Sequence, residues 1–359
     1  MTRRRGRERD RPAIFFDHFR AALARLPAGL IRVLPPADEA DLARAEAALG
    51  RPLPEAYAAF LRSFDGADLF HETVMVAGVG ADAPLRLGEL AQDRAGELVF
   101  ATAAAGERYA LDAEGHVVRY DAGTDERARA GSSFARWLDA TVAREQVLYG
   151  PDGEYEDDVF DPSGEEVTPL VALRQAERAL KQDPGAAGDA HARGLALARL
   201  GRLEAAAGAL DEATEIDPGN PWPWFDLGRV SLEINRAERA VAAFRQAAAH
   251  DPGTEGARFL VWAARAATRG DEADRLRAEA LARDPDLPAS LARAAAAAED
   301  DPEAHAEAAA LLAAMTPGAA PRLRLPVVRG PAAPPPPPDR PRRPRRAAPP
   351  RSGGSRRGP

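Results

Sequence analysis

The dipeptide Asp-Pro recurs through the second half of the chain at Asp183-Pro184, Asp217-Pro218, Asp251-Pro252 and Asp284-Pro285, in steps of 34, 34 and 33 residues. A fixed period of this length marks stacked helical hairpins, each too small to bury its apolar face alone. Proline lacks an N–H and clashes with the preceding turn, so one at each repeat end stops the second helix of the pair. Arrays of this kind hold partners rather than transform substrates. The pattern therefore constrains both the architecture and the class of activity, and it leaves the partner unnamed.

The best-formed unit, 221–252, puts Trp224 at its fourth position, Leu227-Gly228 at its seventh and eighth, Ala240 at the twentieth, Phe244 at the twenty-fourth, Ala247 at the twenty-seventh and Pro252 at the thirty-second. Gly228 and Ala240 are small where two antiparallel helices must cross closely, and Trp224, Leu227 and Phe244 fill the space beside them. This arrangement resembles a tetratricopeptide repeat (TPR); only the eleventh position, usually aromatic, departs as Ser231. The unit from Ala187 keeps Gly194, Leu197, Ala206, Leu210, Ala213 and Pro218 but has Arg193 where leucine is usual. The unit from Thr254 keeps Leu260, Ala273, Ala280 and Pro285 but has Arg277 at a large-residue position. Residues 169–184 read as a second helix alone, and 287–315 as one more degenerate pair with Asp301 as cap and Pro302 opening its second helix.

The TPR resemblance implies a concave face lined by positions 2, 5, 9 and 12 of each first helix: Trp222, Phe225, Arg229 and Leu232, then Glu255, Arg258, Trp262 and Arg265. The candidate peptide groove is Trp222, Phe225, Arg229, Arg258, Trp262 and Arg265. Aromatic residues and arginine dominate interface energetics, and arginine can take a carboxylate through two hydrogen bonds. The carboxylate-clamp form of the repeat is not matched, because Glu233 stands where that form has asparagine.

Residues 13–142 follow other periods. Ile14, Phe15, Phe19, Ala22 and Leu26 make one helical stripe. Asp38 can cap a helix running to Leu49, with Gly50 at its left-handed end, and Leu53-Pro54 starts another that Asp65-Gly66 closes. The period then changes to two, giving candidate strands at 73–78, 84–89, 97–102, 107–112 and 116–121, the last two joined by a turn at 112–115. A helix over 132–142 closes the unit, capped by Ser132 or Ser133.

That order, carried by Glu46, Leu49-Gly50, Leu53-Pro54, Tyr57, Phe60-Leu61, Asp65-Gly66 and a late 134-FARWL-138, resembles the SUKH superfamily, which includes bacterial immunity proteins and yeast regulators of cell-wall glucan synthesis. Asp65 stands where asparagine is commoner in the family; both suit a turn. The resemblance implies an α+β domain, helices on an antiparallel sheet, that binds protein partners without a catalytic centre.

Chemistry is scarce. The chain has no cysteine, and none of its six histidines stands three or four residues from another. Neither a thiol site nor a helical zinc pair is encoded, and no nucleophile elbow or phosphate loop appears. No catalytic residue, cofactor or metal is expected. The absence of cysteine, of an apolar leader and of a long apolar run predicts a cytoplasmic protein without a membrane span. The acidic stretch 145–167 fails the calcium-loop spacing and reads as a hairpin between the domains, with a solvated acidic face.

The formal net charge of −8 hides a division, because residues 1–12 carry +4 and 322–359 carry +10, which leaves −22 on residues 13–321. An acidic body suits a basic protein partner such as a nuclease toxin. The Pro- and Arg-rich tail has too little apolar content for a core and is predicted to be disordered. It offers no aromatic to stack a base, which disfavours nucleic acid as the partner.

The sequence thus predicts a basic arm (1–12), a SUKH-like α+β domain (13–142), an acidic hairpin linker (143–168), an all-α TPR-like solenoid (169–316) and a disordered tail (317–359). It predicts a bacterial protein-binding protein of the immunity or inhibitory kind. A scaffold in a multiprotein assembly, holding an acidic or other peptide segment in the groove, is the second reading, and nucleic-acid contact through the arms the third.

Overall fold

The computed structural model describes residues 16–92, 96–164, 166–298 and 301–315. The expectations for the arm and the tail lie outside these residues.

The first part of the N-terminal unit holds three helices, α1 (Asp17–Leu23), α2 (Glu39–Leu49) and α3 (Glu55–Leu61), with the first strand between α1 and α2. Asp38 caps α2 by accepting from the Asp41 N–H, and Gly50 ends it at φ 67°, in the left-handed region. Seven antiparallel strands pair in simple meander order: β1 (Ile31–Val33), β2 (Ala67–Leu69), β3 (Val74–Val76), β4 (Leu98–Ala103), β5 (Arg108–Leu111), β6 (Val117–Tyr120) and β7 (Arg127–Gly131). The helix α4 (Phe134–Glu145) closes the unit, and the Ser133 hydroxyl caps it.

The core of this unit is aromatic. Tyr57, Phe60, Phe100, Phe134 and Trp137 are at most 2% exposed and meet largely edge to face, Phe100 and Phe134 with ring centroids 5.1 Å apart. Burial raises the ionisation of the Tyr57 phenol well above its ordinary value, and the hydroxyl donates to the Ala77 carbonyl at 2.6 Å. Asp65-Gly66 does more than end a helix. The Asp65 carboxylate accepts from the N–H groups of Val79 and Gly80 at 2.7 and 2.9 Å. Gly66 sits at φ 94°, so close to Val76 and Gly78 that a Cβ would lie 2.9 Å from the Val76 carbonyl oxygen.

The structure departs from the sequence reading at one predicted strand. Residues 84–89 are not a strand; Leu87–Glu89 form a 3-10 turn instead. The Glu89 side chain folds back on Arg86, accepting from its N–H and its guanidinium. The acidic stretch after α4 forms two small turns with isolated bridges, Tyr149 to Tyr155 and Phe160 to Val167. They fold over buried Val159, which packs on Leu148 and Val171.

The second unit is helical throughout: α5 (Pro169–Gln182), α6 (Ala187–Arg199) with α7 (Leu203–Ile216), α8 (Pro221–Glu233) with α9 (Ala237–His250), α10 (Thr254–Ala266) with α11 (Gly270–Arg283), and α12 (Leu287–Ala297) with α13 (Pro302–Ala314). Small residues let each pair cross. A Cβ on Gly228 would lie 2.6 Å from the Phe244 ring, and one on Gly194 2.6 Å from Leu210. The final pair docks differently from the others, because α13 comes back against α10. Arg277 in α11 explains why: its buried guanidinium donates to the Ala314 carbonyl at 2.6 Å and satisfies the end of α13. A charge at this position replaces the apolar filler of a regular repeat.

The candidate interaction surfaces

The two units are joined along β7, the last strand of the sheet. Its outer N–H groups would be left without partners at an open edge. Here the repeat acids take them. Asp217 accepts from the Arg129 N–H at 2.8 Å. Asp183 accepts from the Ser132 N–H and hydroxyl, both at 2.7 Å. Gly131 and Gly185 allow the approach, since a Cβ on Gly185 would lie 2.8 Å from the Ser132 Cβ. Arg144 of α4 reaches Asp189 of α6 at 3.2 Å. Burial raises the Asp189 carboxyl above its ordinary value, and the Arg144 charge opposes this. The Asp-Pro signature was legible as a helix stop; that its carboxylates also cap a neighbouring strand was not, because nothing in a local pattern says which backbone lies across the gap.

The predicted groove residues fall on α8 and α10, facing one another through an aromatic layer. Trp222 is half-buried, and its indole N–H donates to Glu126 of the sheet unit at 2.5 Å. Phe225 and Trp262 are buried, with ring centroids 5.9 Å apart. Arg229 is 7% exposed, with its guanidinium 5.6 Å from the Phe225 ring centre and 5.9 Å from that of Trp262. Arg265 also stands over the layer, 5.1 Å from the Trp262 ring centre. Arg258 pairs with Glu255 at 2.8 Å. Burial pushes the Glu255 and Glu233 carboxyls up, with Arg258 and Arg229 respectively opposing the shift. Three buried polar atoms on this face have no partner among the described residues: Arg229 Nε, Glu233 Oε1 and Arg258 Nε.

One cluster escaped the sequence reading. Asp112, Glu114 and His116, in the turn between β5 and β6, lie close enough together to share a cation. A search for paired histidines cannot find such a set, and Arg127, 3.4 Å from Asp112, already answers part of its charge. None of the described helices is long and apolar enough to cross a membrane.

Residues 36–140 match the SMI1 / KNR4 family (SUKH-1), and residues 197–261 match the tetratricopeptide repeat. The chain thus contains a SUKH-1 domain at 36–140, followed by a TPR repeat region; both families are generally non-catalytic binding modules. Among solved structures it is similar to MamA (residues 41 to end) from Desulfovibrio magneticus RS-1, at 19% identity over 41% of this chain and 83% of that one, with a TM-score of 0.30. It is also similar to a thermophilic TPR protein of Thermus thermophilus, at 20% identity over 50% and 80%, with a TM-score of 0.29. No curated protein matches the chain.

Proposed function

We propose that this protein is an inhibitory binding protein of the immunity kind, which holds a protein partner and acts by occlusion, with no bond made or broken. The observation that carries the reading is the set of three buried polar atoms of that face, Arg229 Nε, Glu233 Oε1 and Arg258 Nε, that have no partner among the described residues; Ser231 Oγ is a fourth such atom on α8. Buried polar groups are satisfied in the great majority of cases, so a set left open on one face is a place where a ligand supplies the missing hydrogen bonds. A peptide main chain, with donors and acceptors alternating, can answer both the arginines and the glutamate. The aromatic layer beneath is already buried, and it holds the Arg229 guanidinium in place above it. The acidic body adds long-range attraction for a basic partner.

The test is capture of the partner with the whole chain in its own host, followed by Glu233→Gln with Arg258→Gln. Loss of a single dominant partner supports the groove. Unchanged retention by the folded variant removes it. If the captured partner is an enzyme whose activity is unaltered in the complex, occlusion fails and a scaffold role takes its place.

A further inference from the structure

Away from the groove, α1, α4 and α5 enclose a cleft of about 670 Å³ at the joint between the two units. Each helix gives it one face. Its floor is Ala22 of α1 with Val142 and Ala143 of α4, and its rim is Arg25 on one side and Arg178 and Lys181 on the other. Lys181 is the only lysine in the chain.

The charge of this cleft is out of keeping with its surroundings. Residues 13–321 carry −22, so an arginine has carboxylates to spare, and many take one. Arg174, which also lines the cleft one turn before Arg178, pairs with Asp158 at 2.8 Å. Arg199 pairs with Glu166 and Arg236 with Glu204. Arg178 and Lys181 make no ion pair among the described residues, and both are exposed on the cleft rim. With Arg174 answered by Asp158, the lining leaves Arg25, Arg178 and Lys181 against the carboxylates of Asp139 and Glu177, an excess of positive charge in an acidic body that, beside an apolar floor, favours a ligand bringing anions with it.

We propose that the cleft is a docking site for an acidic segment of a protein partner, whose carboxylates meet Arg25, Arg178 and Lys181 while an apolar side chain rests on the Ala22–Val142–Ala143 floor. The cleft has room for a few side chains, and no Phe, Tyr or Trp lines it for a base to stack on. Asp139, at its base, and Glu177 would stand against the closely spaced phosphates of a nucleic acid. Asp139 also sets the strength of the contact. Its carboxyl is pushed up to about 6, chiefly by burial with the charge of His18 opposing, so near neutral pH it is largely ionised and repels the incoming acid.

The probe is a fluorescein-labelled peptide of alternating glutamate and leucine, followed by anisotropy with the whole chain at pH 7.5 and moderate salt. Its glutamine counterpart and a labelled oligothymidine are run beside it. Arg178→Glu with Lys181→Glu is expected to weaken the acidic peptide at least tenfold, and Asp139→Asn to tighten it several-fold. Arg202→Glu with Arg245→Glu, the same charge change at exposed positions on α7's approach and α9, is expected to leave it within twofold. The proposal is overturned if this control weakens binding as much as the cleft pair does, or if Asp139→Asn has no effect. It is also overturned if the cleft pair abolishes oligothymidine binding while sparing the peptide.

Discussion

Gly228 and Gly208 both lie inside helices, and the structure gives them opposite tolerances for a side chain. A Cβ on Gly228 meets the Phe244 ring at 2.6 Å, whereas one on Gly208 meets nothing within 4 Å. Gly228→Leu is therefore expected to overpack the α8–α9 crossing and cost about 3 kcal/mol, the upper part of the usual range. Gly208→Ala should stabilise by about 1 kcal/mol, the backbone entropy that glycine gives up in a helix. Thermal melts of the whole chain read both, and equal shifts would contradict the crossing geometry. Asp139 makes a prediction that depends on pH. Its folded value of about 6 lies above the ordinary 3.8, so the folded state holds this proton more tightly and loses stability as pH rises through that window. Asp139→Asn should then raise stability at pH 7.5 by on the order of 1 kcal/mol after solvent screening, seen as a higher melting temperature, and leave both nearly unchanged at about pH 3.5. A stabilisation of the same size at both values would show that the gain is not the carboxylate's charge.

The elements divide by how much of their stability is local. The helices of the repeats were readable because each carries its own period, its own small crossing residue and its own proline stop. The short strands were not: β1 and β2 have three residues each, too few to show alternation, and β7 is an Arg-Ala alternation with no apolar side chain larger than alanine. Their pairing is fixed by neighbours distant in sequence, and β7 is completed only by Asp183 and Asp217 from the repeats. The six candidate positions could be placed on α8 and α10 from the repeat spacing, but their burial could not, since it depends on how close the two helices come. The cleft at α1, α4 and α5 draws on three segments that no local pattern connects. The helix α13 follows the same logic, since its docking rests on Arg277. Arg277→Ala leaves the Ala314 carbonyl without its donor and is expected to cost about 1–3 kcal/mol. Hydrogen exchange should quicken in α13 before it quickens in α9. Unchanged protection of α13 would mean that Leu311 and its neighbours hold it without the arginine.

At the scale of the molecule, the question is whether the SUKH-1 domain and the TPR array are two modules on a linker or one folding unit. Four contacts argue for one unit: Asp217 on the Arg129 N–H, Asp183 on Ser132, Arg144 with Asp189, and the Trp222 indole on Glu126. They fall in two pairs, at the α5–α6 junction (Asp183 and Asp189) and at the α7–α8 junction (Asp217 and Trp222), so sliding or hinging would break several together. Asp189 is 6% exposed, and separation of the units would trade its arginine for water. The whole chain is therefore expected to melt in a single cooperative transition, at a higher temperature than an isolated 165–316 fragment. Removing one buried partner at this joint is costly, because the other is left uncompensated: Arg144→Ala should destabilise by about 3 kcal/mol, the low end for a buried pair, as the guanidinium is partly open to solvent. Asp183→Ala with Asp217→Ala strips two backbone donors at β7 and its exit of their acceptors and should cost about 2–4 kcal/mol. Calorimetry of the double variant decides the matter together with exchange at the Arg129 and Ser132 amides. Loss of their protection with a transition that broadens or splits is the expected result. An unchanged single transition with both amides still protected would mean that the units are held together elsewhere, at the α4–α5 packing.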